Sequence, residues 1–279
     1  MKVTRYTSKL KYPLFQTLGE IFKSYTEGSQ LASRIAVRDL RAQYRQSLLG
    51  FSWVLIVPIA STLLWVLLQK QGIISVEGLD IPYAVFALTG VVLWQLFVDS
   101  LNSPLNMFKQ SKSMLTKINF PREALILAGA YKIIFNLIIK LLVLLAVFAY
   151  FKVIPGNQFY LIPIGMFSIM LLGLSIGILI TPLGVLYNDV QQFLQTFIRL
   201  FFFLTPVIYL SSSDGILGLV NKFNPIGILL DCTRNWMTGQ AIESLIPFYW
   251  ILGGIVVLFL ISSLIYKISM PIIIERIGA

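Results

Sequence analysis

Six stretches of this chain are long and apolar enough to cross a bilayer, at about 50–69, 82–103, 127–151, 161–186, 191–210 and 247–267. A spanning helix needs roughly 20 mostly apolar residues, since no water is available to its backbone inside the hydrocarbon. The expected fold is an all-α integral membrane protein with six transmembrane helices. Composition agrees. Hydrophobic residues make up 57% of the chain and charged ones 12%, whereas a soluble domain carries about a quarter charged.

The net charge of +10 is clustered. Nine of the 22 lysines and arginines precede Leu48, and four more lie between Lys109 and Arg122. Basic residues beside membrane spans mark the cytoplasmic side, which places the N-terminus, the 104–123 loop and the C-terminal tail inside. The 187–190 turn holds Asp189 and no base, so only the parity of the spans places it inside as well. With most of the chain in lipid, nucleic acid is not an expected partner. Cys232 is the single cysteine, and histidine is absent, which removes the commonest metal ligand and general base. The first 25 residues have no continuous apolar core, so no cleaved signal peptide is expected.

The 211–246 segment contains two apolar stretches separated at Asn224–Pro225, each too short to span. The expectation is a pair of short helices dipping in from the outer face, with an ordinary external loop as the alternative. Gly173 and Gly177 form a GxxxG pair with Gly184 one heptad on, a pattern for close helix packing.

Arg34, Arg38, Arg41 and Arg45 are spaced four, three and four apart, which puts them on one helical face. Val37, Leu40, Tyr44 and Leu48 form a neighbouring apolar stripe. Such a helix over 31–48 suits the cytoplasmic headgroup layer, either as an anchor that sets topology or as the entrance for an acidic, lipid-linked substrate. The chain divides into this 1–48 segment and one transmembrane domain, 49–279. The basic 104–123 stretch, with Lys109, Lys112 and Lys117, fits either a docking element for a soluble subunit or a solvated loop.

Charges inside spans are costly in lipid, at least about 2.5–3.5 kcal/mol each. Arg199 shares a polar side with Gln192, Gln195 and Thr196, while Phe193, Phe197 and Phe201 make a separate stripe. A watery path is one reading of this pattern and a structural ion pair the other. Lys132, Asn136 and Lys140 repeat it on the third span, where pairing of Lys140 with Asp99 is expected. Among the aromatics, Phe51, Trp53, Trp65, Trp94, Phe97 and the Phe201–Phe203 run read mainly as core or interfacial belt. No phosphate-binding GxxxxGK[ST] loop is present, nor any paired carboxylates, so neither ATP hydrolysis nor metal-assisted transfer chemistry is expected of this chain.

The stretch "RDLRAQYRQSLLGFSWVLIVPI" (38–59) resembles a signature of the membrane subunits of ABC-2 type polysaccharide exporters, the group that serves O-antigen, teichoic acid and capsule export. The resemblance continues in "INFPREALILA" (118–128), "YNDVQQFLQTFIRLFFFLTPVIY" (187–209) and "NPIGILLDCTRNWMTG" (224–239). It implies a homodimer of six-span subunits, with an N-terminal interfacial helix and outer-side gate helices between spans five and six. It also implies two ATPase partners that hold ATP and Mg, and a polymer on an undecaprenyl-diphosphate carrier. Arg34, Arg38, Arg41 and Arg45 would then meet the carrier diphosphate. Gln192, Gln195, Thr196 and Arg199 would line the path, and Lys109, Lys112 and Lys117 would lie where an ATPase docks. Asn188 departs from the basic residue common after the tyrosine of the Tyr-x-Asp turn. The alternatives are an exporter of small hydrophobic compounds or lipids and a membrane enzyme of carrier-linked glycan synthesis.

Overall fold

The computed structural model describes residues 14–45, 48–74, 76, 78–115, 120–211, 215–240 and 245–278. They form α1 (Leu14–Arg45), α2 (Trp53–Lys70), α3 (Tyr83–Gln110), α4 (Lys112–Leu115), α5 (Glu123–Phe151), α6 (Ile162–Leu186), α7 (Asn188–Leu204), α8 (Gly215–Phe223), α9 (Pro225–Thr238) and α10 (Ile246–Gly278). No strand occurs among the described residues. The chain is an all-α, multi-pass membrane protein, with five helical stretches long and apolar enough to cross a bilayer. These are Gly50–Lys70, Tyr83–Gln110, Glu123–Phe151, Phe159–Leu186 and Ile246–Glu275.

The fifth expected span, 191–210, differs. Its helix α7 has 17 residues and stops at Leu204, a length of about 25 Å against a hydrocarbon core of about 30 Å. Pro206 is the cause, because the ring clashes with a helical preceding residue. Thr205 accordingly takes an extended backbone, φ −106° and ψ 137°. Two other ends move the opposite way. The second span was expected to close at 103 but continues to Gln110 through Pro104, and the last runs past 267 through Pro271. A proline inside a membrane protein's helix is tolerated where neighbouring groups re-satisfy the backbone carbonyl it frees. Among the described residues of the 104–123 stretch, the end of α3 is followed by the single turn α4.

Helix α3 is the centre of the fold, buried along most of its length and packed against α2, α5, α6 and α9. Apolar attraction gives no preference for a neighbouring helix over lipid, so close backbone approach decides which helices pair. The α3–α6 seam has that character. A Cβ on Gly173 would stand 2.7 Å from the Phe97 carbonyl oxygen, and one on Gly177 would overlap the Leu101 carbonyl and meet the Pro104 ring at 3.0 Å. Gly184 faces Leu105 in the same way. Hydroxyls on these helices bond their own backbone: Ser100 to the Leu96 carbonyl at 2.6 Å, Ser175 to Leu171 at 2.6 Å and Thr181 to Gly177 at 2.7 Å. No polar atom of these side chains is therefore left for lipid to meet.

The remaining helices surround this pair. One end of α3 joins α1, the start of α5 and the end of α10 in a second apolar cluster. Helix α2 buries Pro58 and Thr62 and leaves Trp53, Ile56, Val57, Leu63 and Leu67 exposed.

Candidate functional site

Helix α1 carries the four arginines on one exposed face. Arg34, Arg38, Arg41 and Arg45 stand on it together with Ser33, Val37 and Ala42. The apolar stripe divides: Val37 is 44% exposed and Leu48 fully so, Leu40 and Tyr44 are half-buried, and beside them Ala32, Ile35 and Ala36 are buried. Small residues win because they let α1 lie close on α5, where a Cβ on Gly28 would stand 3.1 Å from that of Ala124. Contact runs from Gly28 at Ala124 to Tyr44, whose hydroxyl donates to Asn136 Oδ1 at 3.1 Å. The two helices therefore run in the same direction, and α1 climbs about 18 Å along α5 from residue 124 to 136. Burial raises the Tyr44 phenol, which keeps its proton for this bond. At the other end, partial burial against α10 raises the Tyr25 phenol, which shares a 3.4 Å hydrogen bond with Ser263. Asp39, unremarked in the sequence, accepts from Arg38 Nε at 2.9 Å and Nη2 at 2.8 Å, so one of the four guanidinium charges is matched within the chain.

The polar stripe on α7 divides. Gln192, Thr196 and Arg199 are exposed, and Arg199 makes neither a hydrogen bond nor an ion pair among the described residues. The structural ion pair weighed from the sequence is therefore not formed within that set. Gln195 turns the other way, donating from Nε2 to Asn102 Oδ1 at 2.7 Å. Beside the stripe, Phe193, Phe197 and Phe201 stack in sequence at 6.3 and 5.2 Å between ring centroids. Phe202 anchors the helix end, stacked on Trp65 of α2 at 5.7 Å and edge-on to Trp94 of α3 at 5.6 Å.

Behind α7 lies a polar cleft between α3 and α5 that sequence reading had not assembled. Asp99, Asn102, Ser103 and Asn106 occupy i, i+3, i+4 and i+7 on α3, and they face Lys132 and Asn136 of α5 across about 180 Å³. The i, i+3, i+4, i+7 spacing was the available signal, diluted by the leucines and valines between. At its end, Lys140 Nζ donates to Asp99 Oδ2 at 2.9 Å. This is the pairing the sequence suggested, and it reduces the cost of burying either charge.

Of the three docking lysines, Lys109 donates to Gln191 Oε1 at 2.5 Å and so ties α3 to the start of α7. Lys112 is exposed on α4. Lys117 lies outside the described residues.

At the opposite end of α7, the chain turns through an elbow at 205–211 whose first four residues are buried. Irregular backbone at membrane depth has to be enclosed by protein or water. Here Arg234 of α9 encloses it. The side chain is 1% exposed, donates from Nη2 to the Pro206 carbonyl at 2.5 Å and the Val207 carbonyl at 3.2 Å, and lies 3.9 Å from the Phe86 ring centroid. Asp231 stands 3.9 Å from the same nitrogen. Tyr83 donates to the Ile208 carbonyl at 3.0 Å, and Asn224 bonds Thr205 Oγ1 at 3.0 Å while capping α9. The break expected at Asn224–Pro225 is thus present between α8 and α9.

No family model matches the chain. Curated relatives do. An O-antigen export system permease protein RfbA of Klebsiella pneumoniae is 23% identical over 244 residues, covering 84% of this chain and 92% of its own length. A second Klebsiella pneumoniae protein of that name is 25% identical over 227 residues, 79% of this chain and 85% of the relative. The RfbA permease of Myxococcus xanthus is 26% identical over 197 residues, 69% of this chain and 74% of the relative. The chain is thus a relative of O-antigen export permeases over most of its length, and the resemblance to ABC-2 type polysaccharide exporters carried by its four sequence blocks stands.

Proposed function

We propose that this chain is the membrane subunit of an ATP-driven exporter that moves an undecaprenyl-diphosphate-linked polysaccharide, O-antigen foremost, out of the cytoplasm across the inner membrane. Two copies pair, and two ATPase subunits bind beneath them and supply the hydrolysis, with ATP and Mg held in those partners. The termini lie in the cytoplasm. Helix α7 with its enclosed elbow serves as the sixth crossing, and α8 and α9 form the outer-side gate.

The exposed, unpaired Arg199 carries this reading. An arginine facing lipid at that depth costs at least about 2.5–3.5 kcal/mol, so Arg199, Thr196 and Gln192 face water. A second copy set against the exposed faces of α2 and α7 would enclose that water as a path. The exposed arginine face of α1 supports an entrance: Arg34, Arg41 and Arg45 make no ion pair among the described residues, on a helix that climbs along α5, where a diphosphate headgroup would meet them.

Deleting the gene tests the function. Finished polymer is expected to accumulate on its carrier inside the cell. Absence of polymer, with feedback on synthesis controlled for, would instead identify a synthetic enzyme, and normal surface polymer an exporter of small compounds. For the path itself, Arg199→Leu is expected to lower export roughly tenfold or more, the effect of about 1.4 kcal/mol on the passage barrier. Assembly with the ATPase, followed by co-purification, should persist. Normal export in this variant would remove Arg199 from the path.

A further inference from the structure

The cleft between α3 and α5 has more polar capacity than the fold uses. Asn102 is fully engaged, with Nδ2 on the Val98 carbonyl at 2.9 Å and Oδ1 accepting from Gln195. Its neighbours are not. Asp99 commits Oδ2 to Lys140 and leaves Oδ1 available, and Asn136 commits Oδ1 to Tyr44 and leaves its two amide N–H donors. Lys132 has a 3.9 Å contact with the Met107 sulfur, which is no substitute for its hydration. Among the described residues, Ser103 and Asn106 make no side-chain hydrogen bond.

From this we infer that the cleft is a binding subsite for one neutral sugar ring of the transported glycan, held by Asp99, Ser103, Asn106, Lys132 and Asn136. The inference rests on the export reading above and adds a site to it.

The chemistry of the wall selects the ligand class. An anion would pair with Lys132 but stand against the free Asp99 oxygen, and an apolar group would strand five polar side chains. A polyol suits both acceptors and donors, because each hydroxyl gives one hydrogen bond and accepts others. About 180 Å³ holds one sugar ring, or roughly six waters at ~30 Å³ each. Position fits as well. The Tyr44–Asn136 bond sets the cleft beside the end of the arginine helix, and Asn102 sets it directly behind the path-facing helix α7. A sugar could occupy it without leaving the route from entrance to path.

The test uses the full chain in lipid nanodiscs and saturation-transfer NMR, with methyl glycosides of neutral hexoses, 6-deoxyhexoses and N-acetylhexosamines as probes and inorganic phosphate as the comparison ligand. At least one glycoside is expected to bind, and Asn106→Leu to weaken it about five- to tenfold, as the loss of a ligand hydrogen bond implies. Asn106 is exposed and supports no other side chain, so the variant should keep the wild-type elution profile and melting curve. Ser103→Ala gives a second, milder change in the same direction. No binding by any glycoside, binding untouched by both substitutions, or phosphate competing at the same site would each overturn the subsite. These readouts do not depend on export. The gene-deletion result can therefore remove the export reading while glycoside binding stands, and the reverse outcome would remove the subsite alone.

Discussion

Gly177→Leu is expected to leave no monodisperse protein after extraction. Overpacking a core ordinarily costs about 1–3 kcal/mol, because side chains can rotate away. At Gly177 they cannot. The obstructing atoms are the Leu101 carbonyl of the α3 backbone and the Pro104 ring, which is closed onto that backbone and has no rotamer to move to. Admitting leucine requires α3 and α6 to separate along the line of contact that also includes Gly173 and Gly184. Since lipid solvates a separated apolar helix as well as a neighbour does, nothing draws them back once close packing is lost. Fluorescence-detected size-exclusion of the tagged protein reads the outcome, with Gly177→Ala expected to give an intermediate loss. Gly253→Leu is the control: a Cβ there meets nothing within 4 Å, so the same added bulk on α10 should leave the chain folded. Equal recovery of Gly177→Leu and Gly253→Leu would show that the α3–α6 contact does not organise the fold.

Close packing at Gly173 and Gly177 was legible from their four-residue spacing, but such pairs are common in apolar helices and the spacing does not name the partner, α3. The Asp99–Lys140 pair was legible too: buried charges are rare enough that two on adjacent spans point to each other. The stripe on α7 was read as one surface, yet Gln195 to Thr196 spans about 100° of the helix at 100° per residue. An arc that wide can bond α3 at one edge through Gln195 and stay open at the other through Thr196, with Arg199 exposed between them. Asn102 and Asn106 escaped notice because a carboxamide barely lowers the hydropathy of a leucine-rich window. Helix ends failed at prolines in both directions. The spans expected to close at 103 and 267 continue through Pro104 and Pro271, whereas Pro206 ends α7 inside a run, Phe201–Ile208, whose hydropathy gives no hint of a turn. Hydropathy records what lipid tolerates and says little about where the backbone bends.

Arg234 shows the same limit most plainly, and it carries the second large expected effect. In the sequence it is one of four bases in the 70–81, 152–160 and 211–246 segments between spans; in the fold it is almost fully buried and closes the elbow that follows α7. Arg234→Met should lower the melting temperature of the detergent-solubilised protein by about 5–15 °C. The methionine fills much of the space but leaves the Pro206 and Val207 carbonyls without their donor, at about 1–3 kcal/mol for each buried group left unpaired. A domain of this size shifts by about 2–4 °C per kcal/mol. Arg234→Lys should recover part of the loss, because an ammonium can still donate to the carbonyls that accept from Nη2 but lacks the planar guanidinium that lies on the Phe86 ring. Phe86→Leu, which removes only the ring face, should cost about 0.5–2 kcal/mol and shift the melt correspondingly less. The ordering Met below Lys below Phe86→Leu is the diagnostic. If Arg234→Met melts within about 2 °C of the wild type, a shift worth less than about 1 kcal/mol, then water or the chain itself satisfies the elbow. If it melts low yet exports normally once assembled, the residue stabilises the gate without setting its geometry. Loss of export in the fraction that does fold would tie the position of the α7 end, and with it the register of Arg199 along the path, to this one side chain.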